Sequence, residues 1–320
     1  MNSNSVIALR ELRKSYRGHV VLDGVNLDVE RGTIFSLLGQ NGAGKTTTVN
    51  ILTTLIRPDA GTATIDGFDV VRQPAQARAA LSLTGQFAAV DPFQTGRENL
   101  AMVARLAHFG TRAARARVGE LLEQFDLVEA GQRRVETYSG GMRRRLDLAI
   151  SLLATPPVVF LDEPTTGLDP RSRKQMWDVV RELAGGGTTI FLTTQYLEEA
   201  DQLADHISVL NSGRIVADGT PDQLKAGLSG ARVEVTFDAA SDFETALRIG
   251  LGRGAIPDDE RNAIAVPSDD PVRTTRQLLT IADEHDLTVT AVAILKPTLD
   301  DVFLHLTEAL AVTTPEEAAA

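Results

Sequence analysis

Cysteine is absent from the 320 residues. That excludes disulfides and thiolate metal sites, though it names no compartment. Also absent is any apolar run approaching the roughly 18 to 20 residues that a membrane span needs. The opening Met1-Asn2-Ser3-Asn4-Ser5-Val6 has no basic stretch followed by an apolar one. No secretory signal is therefore expected, and the cytosol is the default. Positive charge is scarce in one region. From Gly230 onward the chain carries 7 Lys and Arg against 17 Asp and Glu, a balance of −10 out of the total −11. That shift predicts a domain boundary near residues 228–230. A strongly acidic C-terminal third argues against nucleic acid or anionic lipid as its partner, because both require a positive surface. A solvated acidic face is the simpler reading. What is present in quantity is apolar side chain, 43% of the total, enough for a packed core in a chain whose length suits two domains.

The stretch that organises the rest is Gly39-Gln40-Asn41-Gly42-Ala43-Gly44-Lys45-Thr46-Thr47. It fits GxxxxGK[ST], the phosphate-binding loop. The flanking segments have the right character. Thr33-Ile34-Phe35-Ser36-Leu37-Leu38 reads as a buried strand, and Thr46 to Ile56 keeps helical spacing through Val49, Leu52 and Ile56. Gly39, Gly42 and Gly44 let backbone N–H groups approach phosphate oxygens, and the helix start adds the positive end of its dipole. Lys45 is placed to reach the β- and γ-phosphates and the Thr46 hydroxyl to ligate Mg²⁺.

Upstream, Val6 to Tyr16 and Val20 to Glu30 alternate apolar and polar residues and read as antiparallel strands broken at Arg17-Gly18. Tyr16 is either an adenine-stacking aromatic or an ordinary packing tyrosine. Thr62 to Gly67 and Leu81 to Thr84 read as short strands, the second ending at Gly85-Gln86. Glu98 to Leu127 has helical spacing and an arginine-rich, solvated outer face. Ser139-Gly140-Gly141 then precedes a helix expected from Met142 to Ala154, a second helix start able to hold an anion, with Ser139 as a plain N-cap on the blander reading. Val158-Val159-Phe160-Leu161-Asp162-Glu163 is a fully buried strand ending in two acids. Beside a phosphate loop, Asp162 can hold Mg²⁺ and Glu163 can polarise a water for attack on the γ-phosphate. A turn at Gly167-Leu168-Asp169-Pro170, a helix from Arg171 to Ala184 and a strand from Thr188 to Thr194 follow, the last ending at Gln195. A helix from Leu197 to Asp205 and strands at Ile207–Leu210 and Arg214–Ala217 complete this part.

After residue 230, strands are expected at Ala231–Phe237, Ala263–Val266 and Leu287–Leu295. Helices are expected at Asp242–Leu251, Pro271–His285 and Leu299–Leu310, followed by a frayed tail. The overall expectation is an α/β protein: a phosphate-loop NTPase core with a mostly parallel sheet, an antiparallel β subdomain and a helical insertion at about 91–155. These fill residues 1–228. A small C-terminal α/β domain spans 229–310, and 311–320 form the tail.

Taken together these residues resemble the ATP-binding cassette ATPases over about residues 6 to 225. The phosphate loop, Gln86, Ser139-Gly140-Gly141, Leu161-Asp162-Glu163-Pro164, Gly167-Leu168-Asp169 and the residue after Thr193-Thr194 stand in that family's order. The resemblance implies a head-to-tail dimer that buries ATP and Mg²⁺. In it, Tyr16 stacks on adenine and the loop from Gly39 to Thr47 grips the phosphates. Thr46, Gln86 and Asp162 serve the metal. Glu163 is the base, helped by Gln86 and Gln195. Ser139, Gly140 and Gly141 cap the γ-phosphate held by the opposite copy, and Asp169 lies across the seam. Three positions depart from the pattern: Gln40 replaces a usual proline, Tyr138 and Met142 replace leucine and glutamine, and Gln195 replaces a histidine. A glutamine amide can still donate to a phosphate oxygen but cannot become cationic.

The motif Tyr138-Ser139-Gly140-Gly141-Met142-Arg143-Arg144-Arg145, the run from Thr193 to Asp201 and the C-terminal Lys296 to Phe303 resemble exporter ATPases of the daunorubicin-resistance type. That implies an integral-membrane permease in a separate chain, docked near Gln86 to Arg112. It also implies a peripheral location on the cytoplasmic face of the cell membrane, outward movement of a drug, antibiotic or lipid, and no nucleic-acid partner. The alternative is a soluble cassette ATPase of translation or DNA maintenance. Such proteins usually carry two cassettes or a long coiled coil, and neither is in this sequence.

Overall fold

The computed structural model describes residues 4–85, 90–226, 231–251 and 254–303. It divides into two compact units, Met1–Pro221 and Asp222–Ala320. The division falls a few residues before the shift in charge. The charge balance marks where the acidic surface begins, not where contacts thin out.

The first unit opens with β1 (Ser5–Tyr16), β2 (His19–Glu30) and β3 (Ile34–Leu38), then α1 (Lys45–Leu52). Next come β4 (Ala60–Ile65), β5 (Phe68–Asp69), α2 (Pro74–Ala79) and β6 (Leu81–Thr84). Three helices follow, α3 (Gly96–Leu106), α4 (Thr111–Gln124) and α5 (Gly140–Ser151). The unit continues through β7 (Val158–Asp162), α6 (Pro170–Gly185), β8 (Thr189–Thr194), α7 (Leu197–Leu203), β9 (His206–Asn211) and β10 (Arg214–Gly219). In β1 and β2, alternation buries Ile7, Leu9 and Leu12 against Val25, Leu27 and Val29. Arg17 and Gly18 both take positive φ, as a two-residue hairpin twisted to match its strands requires. The pair joins β4 and β5 in an antiparallel sheet of order β2-β1-β4-β5.

The larger sheet has order β10-β9-β3-β8-β7-β6. Strands β6, β7, β8, β3 and β9 run parallel, and β10 closes one edge antiparallel. Strands β3, β7 and β8 are buried along their whole length, as continuous apolar runs in a doubly covered parallel sheet should be. Because β3, β8 and β7 are neighbours, the segments that follow them emerge side by side at the carboxyl end of the sheet. Ligand crevices of open α/β sheets form at that end. Between the two sheets, Phe191 lies with its ring centroid 5.1 Å from those of both Phe35 and Phe160, fully buried. Replacing Phe191 by Ala leaves a cavity that neither neighbouring ring can close. It should cost about 3–5 kcal/mol of unfolding free energy, read from urea midpoints at unchanged slope.

Three differences from the sequence expectation stand out in the first unit. The single helical segment expected over 98–127 is two helices, α3 and α4, separated where His108 takes φ 61° and Gly110 starts the next helix. Helix α1 stops at Leu52 because Thr54 turns to φ 65°. The short β5 and α2 fall in a stretch where no element was expected.

The second unit begins with α8 (Pro221–Ala226), whose first residue closes the first unit, and continues with β11 (Ala231–Phe237), α9 (Ala240–Arg248) and β12 (Ile256–Asp258). β13 (Ala263–Ser268), α10 (Pro271–Glu284) and β14 (Val289–Leu295) follow. Its antiparallel sheet has order β12-β13-β11-β14. Val233, Val235 and Phe237 pack with Phe243 of α9 and Leu278 of α10 in a separate core. Of the helix expected over Leu299–Leu310, residues 299–303 are helical and the rest lies outside the described residues. Among the described residues no helix is long and apolar enough to cross a membrane.

Candidate active site

The loop between β3 and α1 is shaped by its glycines. A side chain at Gly39 would place Cβ 2.4 Å from the Leu210 carbonyl, and one at Gly44, where φ is 110°, would sit 2.7 Å from Leu22 Cδ2. Only a bare backbone fits those two positions. Gly44 is also the N-cap of α1, and among the described residues that helix start has no side-chain cap. A helix start of this kind can take up an anion. Gln40, Asn41, Gly42 and Thr46 are exposed, Thr47 is half-buried, and Gly39, Ala43 and Lys45 are buried.

Lys45 Nζ donates to the carbonyls of Gly39 at 2.7 Å and Gln40 at 3.1 Å, and lies 3.9 Å from Glu163 Oε1. Burial holds its pKa below the usual lysine value, while the carboxylates of Glu163 and Asp162 act in the opposite direction. Asp162, at the end of β7, is buried and accepts a 2.5 Å hydrogen bond from Thr193 Oγ1 of β8. Glu163 follows with φ 49°, an uncommon conformation for a residue with a side chain. Its N–H donates to the Thr193 carbonyl at 3.1 Å, and Thr166 Oγ1 donates to its Oε2 at 3.4 Å. The structure thus brings Lys45, Asp162 and Glu163 into one cluster across the ends of β3, β8 and β7. Gln195 is half-buried and directly follows β8.

A second group gathers at the starts of α5 and α6. Ser139 caps α5, its Oγ accepting from the Met142 N–H at 3.3 Å, and Ser139 and Gly140 are exposed. A Cβ on Gly141 would come 2.7 Å from Ser172 Oγ, so only glycine lets α5 approach α6 this closely. Ser172 Oγ donates at 2.6 Å to Asp169 Oδ2. Asp169 caps α6 through the Arg171 and Ser172 amides, and the bond from the Ser172 hydroxyl, followed by those from the amides, holds its carboxyl below the usual carboxylate range. Asp169 therefore serves its own helix within the single chain. Arg144, in the second turn of α5, links this second group to the Lys45 cluster by donating to the Asp162 and Glu163 carbonyls. Tyr16 ends β1, is 45% exposed, and has Lys14 Nζ 5.4 Å from its ring centroid. Gln86 lies outside the described residues.

Two residues that the sequence reading passed over belong to the site. Thr193 orients Asp162, and a threonine inside an apolar strand run offered no sign of it. Arg144 hid among three consecutive arginines, of which only it is buried. Its signal was helical phase, since it shares a face of α5 with Asp147 and Leu148.

This arrangement, a glycine cradle with a buried lysine facing two acids across a parallel sheet and a Ser-Gly-Gly helix start, defines a nucleotide-hydrolysing cassette. Residues 22–166 match the model of the ABC transporter family. The chain is 50% identical to daunorubicin resistance ATP-binding protein DrrA3 of Streptomyces coeruleorubidus, over 95% of this chain and 96% of that one. It is 43% identical to Nod factor export ATP-binding protein I of Burkholderia orbicola, over 68% and 72% of the two chains. Among solved structures, the ATP-binding subunit of an ABC transporter superposes with a TM-score of 0.63 at 27% identity, covering 70% of this chain and 93% of that one. The chain belongs to the ABC transporter family and is an ABC ATPase.

Proposed function

We propose that this protein is the ATP-hydrolysing subunit of an exporter, working with an integral-membrane permease carried by a separate chain. The observation that carries this reading is the cluster of Lys45, Asp162 and Glu163, with Lys45 Nζ 3.9 Å from the Glu163 carboxylate. The names of relatives linked to daunorubicin resistance and Nod factor export point to outward transport, with a drug, antibiotic or lipid as cargo. Location is peripheral, on the cytoplasmic face of the membrane.

In the proposed mechanism Lys45 exchanges its two loop carbonyls for the β- and γ-phosphate oxygens of ATP, while the amides around Gly42 and Gly44 take up the remaining oxygens. The donor set suits magnesium, a hard cation that accepts oxygen ligands and needs only one or two carboxylates. Thr46 and Asp162 would hold it with the phosphates, and Gln86 would join them. Bound there, magnesium neutralises charge on the phosphates. No group of three His, Cys, Asp or Glu residues able to hold a metal is found among the described residues, so the phosphates would have to complete the site. Glu163 accepts a proton from the water that attacks the γ-phosphate, and the Gln195 amide donates to a γ-phosphate oxygen. Tyr16 stacks on the adenine. Ser139, Gly140 and Gly141 close over the γ-phosphate bound by a second copy, and Asp169 lies at that seam. The function therefore requires a homodimer.

Affinity purification of the tagged chain from its own host, in mild detergent, tests the exporter reading. A multi-span membrane protein should co-purify in near-stoichiometric amount. Recovery with ribosomes or DNA and no membrane protein would favour a soluble cassette ATPase.

A further inference from the structure

Arg144 of α5 is buried, with only 8% of its surface exposed. Its guanidinium donates to four backbone carbonyls from two segments that α5 packs against. Nη1 reaches Gly85 O at 2.5 Å, just past β6. Nε reaches Pro164 O at 2.9 Å, and Nη2 reaches Asp162 O at 3.2 Å and Glu163 O at 3.5 Å, all at the carboxyl end of β7. One turn along α5, Asp147 Oδ2 lies 3.5 Å from Nη1 and balances the charge. Burial lowers the guanidinium pKa, opposed by the carboxylates of Asp147, Asp162 and Glu199, so it stays cationic.

A planar fork with five N–H donors suits this task, because four acceptors lie around a single group. Three of them belong to consecutive residues, and the middle one is Glu163, whose backbone takes the uncommon φ of 49°. The same helix is capped by Ser139, five residues earlier, and there Ser139 and Gly140 are exposed. One side chain therefore joins the helix that presents Ser-Gly-Gly to the backbone that aims the carboxylate of Glu163. We propose that Arg144 is a positioning residue for hydrolysis, fixing Glu163 through the carbonyls of Asp162, Glu163 and Pro164 and tying that strand end to α5. This inference rests on the ATPase reading above.

Binding and turnover should separate. Lys45 opens α1, and the Arg144 hydrogen bonds go to Gly85, Asp162, Glu163 and Pro164 rather than to the phosphate loop. Loss of the fork should leave nucleotide affinity intact and let the base drift, and small misplacements of a reacting group cost about 10- to 100-fold in rate. The test uses the full-length chain with MgATP. Arg144→Lys keeps the charge opposite Asp147, but its single ammonium cannot span four carbonyls. Its kcat should fall about 10- to 100-fold, with KM and the equilibrium Kd for MgATP within about twofold of wild type. Arg144→Gln/Asp147→Asn removes both buried charges together and should show the same split if the lysine variant does not fold. Unchanged kcat in either folded variant overturns the inference. So does a Kd that rises in parallel with the loss of rate, which would assign Arg144 to the cradle. Failure of both variants to fold would make it a structural residue only. A wild-type chain that hydrolyses no ATP would overturn the ATPase reading itself, a result distinct from all of these.

Discussion

Lys45→Ala should weaken ATP binding by about 30-fold or more. The ammonium is buried and already engaged with two loop carbonyls, so it meets a phosphate with little side-chain entropy left to lose. Truncating one partner of a buried, hydrogen-bonded charge pair costs about 2–5 kcal/mol, roughly 30- to several-thousand-fold in affinity. The variant also leaves the carboxylates of Asp162 and Glu163 without the Lys45 cation, which adds repulsion for an incoming polyphosphate. Titration of a fluorescent ATP analogue into the purified variant would show this. An affinity within threefold of wild type would mean that the loop does not bind nucleotide through Lys45.

The second large effect should come from Glu163→Gln. The amide keeps the shape of the side chain and can still accept from Thr166, but it cannot take a proton from water. Loss of a positioned general base typically costs 10²–10⁴-fold, so turnover should fall by about that much. Affinity should hold or rise, because the loop and Lys45 are untouched. The substitution also removes a carboxylate that sustains the charge on Lys45, leaving Asp162 alone to offset burial. A phosphate-release assay and an equilibrium titration on one preparation separate the two quantities. Equal losses in both would move Glu163 from catalysis to binding.

Much of this centre was legible before any coordinates. Continuous apolar runs marked β3, β7 and β8 because parallel strands covered on both faces need no alternation, and the glycine loop follows one of them directly. Asp162 and Glu163 stood out by ending such a run. What stayed hidden depended on contacts across the chain. Thr193 meets Asp162 only because β7 and β8 are paired in register, Asp162 opposite Thr193. Arg144 looked like its neighbours until the phase of α5 buried it. The break at His108 uses a left-handed residue with no proline to announce it, and β5 is two residues long, too short for any periodicity. Asp169 was expected at a dimer seam, and in the single chain it caps α6 through bonds within the first turn.

Everything proposed for transport depends on two copies enclosing ATP between the Lys45 cradle of one and the Ser139 helix start of the other. Light scattering on a size-exclusion column tests this most directly, using Glu163→Gln with saturating MgATP, alone and together with its permease. A species at twice the 34.4 kDa chain mass that appears only with nucleotide, and that Ser139→Arg prevents, is the expected result. A chain that stays monomeric in MgATP, both alone and beside the permease, would contradict it.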